Sequence, residues 1–120
     1  MKIQVKEVPE QQLPAGRHFV RITKVEEGIT INGLEYFDCY FQSCYGICSK
    51  RFHVVDQCLP RIVSLFRACG IPVYSNDVLE TFYLTGLSLE IENISRIIDG
   101  EIITEIVAFH YWRPEIVDED

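Results

Sequence analysis

A chain of 120 residues, 48% hydrophobic and 24% charged, fits one domain with a core of its own. That hydrophobic fraction excludes wholesale disorder, and no run reaches the ~18–20 uninterrupted apolar residues of a membrane-spanning helix. The net charge of −7 argues at first against nucleic acid as a partner. It is unevenly divided, however: residues 11–75 carry seven basic and five acidic groups, and residues 76–120 carry two and eleven.

The opening MKIQVKE has no signal-peptide apolar region, so a cytoplasmic location is expected. Residues 1–13 read as a polar, irregular lead-in. Residues 17–25 are rich in β-branched and aromatic side chains and predict a first strand. Asn32-Gly33, both tolerant of positive φ, marks a turn. In residues 35–42, Phe37, Cys39 and Phe41 alternate with Tyr36, Asp38 and Tyr40, a second strand with one apolar face. Tyr45-Gly46 marks the next turn. Residues 47–55 predict a third strand, with Cys48, Lys50, Phe52 and Val54 on one side and Ser49, Arg51 and His53 on the other.

The period then changes. Cys58, Leu59, Ile62, Leu65, Phe66 and Cys69 recur at gaps of one, three and four, forming one apolar stripe on a helix. Pro60 in its first turn and Gly70 past its end bound that helix to residues 56–69. Asn76-Asp77 suggests a cap for a short second helix through Tyr83. Residues 87–92 alternate strictly and predict a fourth strand, Asp99-Gly100 a turn, and residues 101–112 a fifth strand. Three strands, a helix and two strands is the order of the OB-fold, a five-stranded Greek-key barrel with its helix between strands three and four. The expected fold is therefore mainly β (β+α) and OB-like, in one domain over residues 1–113. A mixed α+β sandwich has the same element order. Residues 114–120 read as an acidic tail.

No Gly-rich phosphate loop or nucleotide fingerprint is present, and His18, His53 and His110 stand alone. Cys48 with His53 is the nearest approach to a nucleophilic pair, and nothing marks an oxyanion hole or an orienting third residue. A non-enzymatic protein without cofactors is expected. The odd count of five cysteines fits reduced thiols. Cys39, Cys44, Cys48 and His53 invite a zinc site, but their spacing matches no standard knuckle, and no metal is expected.

The first three strands stand out by the side chains they offer outward: Arg17, Arg21, Lys24, Tyr36, Tyr40, Lys50, Arg51 and His53, with Tyr45 in a turn. Cations interleaved with aromatic rings suit a single strand of nucleic acid, because cations neutralise phosphate and rings stack on unpaired bases. Lys50 and Arg51, as neighbours on a strand, must point to opposite faces. A protein–protein interaction module of the same fold is the rival reading.

Four segments resemble a family of small phage-encoded proteins found near recombination genes, long known as a domain of unknown function and regarded as single-stranded-DNA-binding OB-folds. They are Pro14-Ala15-Gly16 leading to Ile22; Asn32-Gly33-Leu34-Glu35-Tyr36-Phe37; the helix from Ile62 to Pro72 with Leu65, Ala68, Gly70 and Ile71; and Leu84-Thr85-Gly86 leading to Leu89 and Ile91. These are turn, cap and core positions and include no catalytic signature. The resemblance implies single-stranded-DNA binding in phage or mobile-element replication or recombination. It also gives the tail a role, since single-strand binders often recruit replication or repair proteins through an acidic end. Here Glu115, Ile116, Val117, Asp118, Glu119 and Asp120 would form that hook. The cysteine content and the short link between strands four and five depart from the family pattern.

Overall fold

The structure is a computed structural model and describes residues 1–4 and 12–112. It is mainly β: strands β1 (Gly16–Ile29), β2 (Glu35–Ser43), β3 (Gly46–His53), β4 (Ser88–Ile98) and β5 (Glu101–His110), with one α-helix, α1 (Leu59–Ala68), between β3 and β4 in the chain. All strand pairs are antiparallel, in the order β3-β2-β1-β4-β5. Among the described residues no helix is long and apolar enough to cross a membrane.

The long first strand organises the sheet. Its N-terminal part, Gly16 to Arg21, pairs with β4, and its C-terminal part, Arg21 to Ile29, pairs with β2. The β1–β2 register shifts between Ile22 and Lys24. An extra residue of this kind bends a strand and increases its twist. The segment entering β4 is fastened at the bend: Gly86 donates its N–H to the Ile22 carbonyl, and Ile22 donates to the Leu87 carbonyl, both at 2.8 Å. Gly86 has φ +89°, a conformation that an L side chain rarely adopts.

Alternation decides the core. Val20 and Ile22 of β1, Phe37, Cys39 and Phe41 of β2, and Leu89 and Ile91 of β4 are buried. From α1 the apolar stripe contributes Ile62, Leu65, Phe66 and Ala68. Each fully buried Leu, Ile or Phe contributes about 1.5–3 kcal/mol relative to exposure. Phe37 and Phe52 stack across β2 and β3 at 5.0 Å between centroids. Phe109 of β5 reaches over to Phe52 at 5.7 Å and Phe41 at 6.2 Å. These ring contacts bring the last strand over the β2–β3 hairpin, although β3 and β5 are not neighbours in the sheet.

Several sequence expectations need adjusting. β1 runs on to Ile29, and β4 continues to Ile98, well past the alternating stretch, because hairpin pairing with β5 carries it. The helix expected over residues 56–69 is a 3-10 turn, Asp56–Cys58, followed by α1. No helix starts at Asn76-Asp77. Asn76 has φ +69°, and the Asp77 carboxylate accepts the Tyr74 N–H at 2.7 Å, closing a local turn. The only helical element there is a 3-10 turn, Thr81–Leu84, whose first turn is capped by the Glu80 carboxylate.

Candidate functional site

Strand parity assigns the outward face. Val20 and Ile22 point inward, so Arg17, Phe19 and Arg21 point outward. The register shift at Thr23 puts Lys24 outward and Val25 inward. On β2 the outward side chains are Tyr36, Asp38, Tyr40 and Gln42; on β3 they are Ser49, Arg51 and His53. This face brings together Arg17, Arg21, Lys24, Tyr36, Tyr40, Arg51 and His53, with Tyr45 at its edge in the β2–β3 turn.

Most of its cations already hold carboxylates. Arg17 Nε lies 2.9 Å from Glu90 Oε1 and 3.6 Å from Glu92 Oε1 on β4. Lys24 pairs with Glu26 and sits 5.6 Å over the Tyr40 ring, and the Tyr40 hydroxyl donates to Glu26 at 3.4 Å. The hydrogen bond to Glu26 raises the Lys24 pKa. Arg51 donates to both oxygens of Asp38, at 2.8 and 3.0 Å, and that bond raises its pKa. The Arg51 guanidinium also lies 3.9 Å from the Tyr36 centroid, covering one face of that ring. His53 meets Tyr36 edge-on at 6.2 Å. The Tyr36 ring occupies the space a side chain at Gly28 would need: a Cβ there would lie 2.5 Å from its Cζ and Oη.

Lys50 stands apart. It is half-buried on the other side of β3, beside a cleft bounded by Cys48, Asn93, Thr104 and Glu105. Burial, with the nearby Arg61 charge, lowers its pKa.

Arg21 differs from the other outward cations in having no carboxylate partner among the described residues. It lines a cleft of about 720 Å³, where β2 and β4 part company on either side of the β1 bend. Arg17, Phe19 and Thr23 form one wall with Arg21, Gln42 through Tyr45 form a second, and Thr85 and Gly86 close the end. Phe19 is 46% exposed and is backed by Trp112, ring centroids 4.3 Å apart; Tyr45 is 73% exposed. A Cβ added at Gly86 would lie 3.8 Å from Arg21 Nη2, an ordinary contact, so it is the φ of +89° and not lack of space that calls for glycine at this end. Among the described residues the cleft thus offers one cation without a carboxylate partner, two accessible rings and a rim of hydroxyl and amide groups.

Of the residues expected from sequence, the cleft gathers Arg17, Arg21 and Tyr45. Lys24, Tyr36, Tyr40, Arg51 and His53 form a neighbouring, internally paired row. Phe19, Gln42, Ser43, Thr85, Gly86 and Trp112 belong to the site and were not singled out for function. Parity with Arg17 and Arg21 was the available signal for Phe19; nothing local marks the others.

The thiols spread out. Cys39 lies in the core and Cys44 on the surface, and burial pushes the thiols of Cys39 and Cys69 up to about 12 and Cys48 up to about 11. Among the described residues no group of three His, Cys, Asp or Glu side chains converges to hold a metal ion. The acidic tail, Glu115 to Asp120, lies outside the described residues. No protein-family model and no curated protein matches the chain.

Proposed function

We propose that the protein is a non-enzymatic, OB-like domain that binds single-stranded DNA by base stacking and phosphate neutralisation. The observation that carries this reading is the cleft at the β1 bend, where Arg21 has no carboxylate partner among the described residues and shares the lining with the exposed rings of Phe19 and Tyr45. An aromatic platform beside an unpaired cation is the minimum that an unstacked base and its phosphate require. The OB-like assignment is supported by a first strand shared between β2 and β4, by the sheet order, and by the Phe109 contacts that curl β5 towards β3. Action in phage or mobile-element replication or recombination rests on the resemblance in turn and core positions alone. Recruitment of replication or recombination proteins through residues 115–120 rests on the same resemblance.

The test is fluorescence anisotropy of a labelled twelve-nucleotide oligo-dT with the full chain at low salt. Binding that weakens with salt and is lost in Arg21→Ala and Tyr45→Ala supports the reading; no binding at low salt removes it. A protein-interaction module is the second reading. It is favoured by the isoleucines left exposed near the tip of the β4–β5 hairpin, where Ile97 and Ile102 are 78% and 76% exposed.

A further inference from the structure

Resting on the strand-binding reading, we infer that the cleft takes a single nucleotide unit, one unstacked base with its phosphate, and that among the described residues the outward face of β1 to β3 offers no continuous track for a strand leading away from it. The ligand class is then a mononucleotide, a strand terminus or one splayed base within a strand.

Charge and ring accounting on the outward face supports this. A track needs an available cation every nucleotide or so and rings with open faces along the path. Beyond the cleft the outward cations of β1 and β3 are Lys24 and Arg51, each neutralised by a neighbouring carboxylate. Of the rings, Tyr36 is covered on one face by Arg51 and lies over Gly28, so the only stacking surface it offers is already used. Tyr40 lies under Lys24 and is bonded to Glu26. A phosphate crossing this row meets Glu26 and Asp38 together with their cations, and gains no net charge from it. On the β4 side of the cleft, Arg17 is held between Glu90 and Glu92. On the outward face of β1 to β3, among the described residues, a cation without a carboxylate partner and exposed aromatic rings therefore coincide at the cleft. Its volume, about 720 Å³, falls within the range of small-molecule pockets, about 300–1,000 Å³.

The experiment is competition against the labelled twelve-nucleotide oligo-dT by dTMP and by oligo-dT of two, four, eight and twelve nucleotides, repeated at several salt concentrations. Affinity is counted per nucleotide, so that the number of binding registers on a longer strand is removed. The expected result is complete displacement by dTMP, affinity per nucleotide changing by less than about threefold from two to twelve nucleotides, and a salt slope near −0.7, the value for one neutralised phosphate on a single strand. Affinity per nucleotide that climbs tenfold or more with length, or a slope of about −2 or steeper, overturns the single-unit site while leaving the strand-binding reading intact. Should the oligonucleotide not bind, dTMP is titrated directly by calorimetry, and its binding there supports the single-unit site and removes the strand reading. Failure of both ligands removes both.

Discussion

Glu26→Gln tests the charge accounting on the outward face. The substitution keeps the shape of the side chain and removes the carboxylate that holds Lys24. Lys24 lies three residues from Arg21 along β1, past the register shift, and its cross-strand partner Tyr40 sits beside Gln42 on the cleft wall. Once released, its ammonium is available to a phosphate one or two nucleotides beyond the cleft. One further neutralised phosphate steepens the single-strand salt slope by about 0.7, so between 50 and 200 mM salt the affinity advantage of Glu26→Gln over the parent should shrink by about 2.6-fold. The assay is oligo-dT anisotropy across that salt range for both proteins. A matching titration with dTMP should show no such divergence, because a mononucleotide does not reach Lys24. Parallel salt slopes for the two proteins on oligo-dT would refute the claim that Glu26 silences this cation.

Gly28→Ala places a methyl group against the Tyr36 ring and displaces it from beneath Arg51; chemical denaturation should show a loss of about 1–3 kcal/mol, the usual range for overpacking. Phe41→Ala empties the centre of the core, and the same measurement should lose about 3–5 kcal/mol. Iodoacetamide at pH 8 followed by mass spectrometry should modify Cys44 first, with Cys39, Cys48 and Cys69 reacting only on unfolding, since burial holds their thiols protonated. Lys50 binds its proton less tightly folded than unfolded, so stability should rise with pH between its depressed folded value and the ordinary lysine range of about 10.4. Thermal denaturation against pH should show that rise in the parent and a smaller one in Lys50→Met.

Local pattern determined much of this molecule. Period-two alternation in Phe37, Cys39 and Phe41, and again in Leu89 and Ile91, fixed which side chains enter the core, because a strand turns successive residues to opposite faces. The three- and four-residue spacing of Ile62, Leu65 and Phe66, closed by Gly70, located the helix for a comparably local reason. The turns at Asn32-Gly33 and Asp99-Gly100 were legible from residues that accept positive φ. Parity even separated Lys50 from Arg51.

Tertiary structure alone decided which cations were available. Arg51 and Asp38 are thirteen residues apart in the chain and meet only because the β2–β3 register sets them opposite each other. Arg17 meets Glu90 and Glu92 only because β1 pairs with β4. A count of basic residues treats these arginines and Arg21 alike, whereas the register neutralises two of them and leaves the third open. The cleft has the same origin: it exists where β1 exchanges one partner for another, and its walls come from segments around residues 17, 43 and 85 that no local pattern connects. The −7 of the whole chain was therefore the wrong scale on which to judge a ligand. Charge acts over about 8–10 Å in physiological salt, and the sheet register determines which charges come that close.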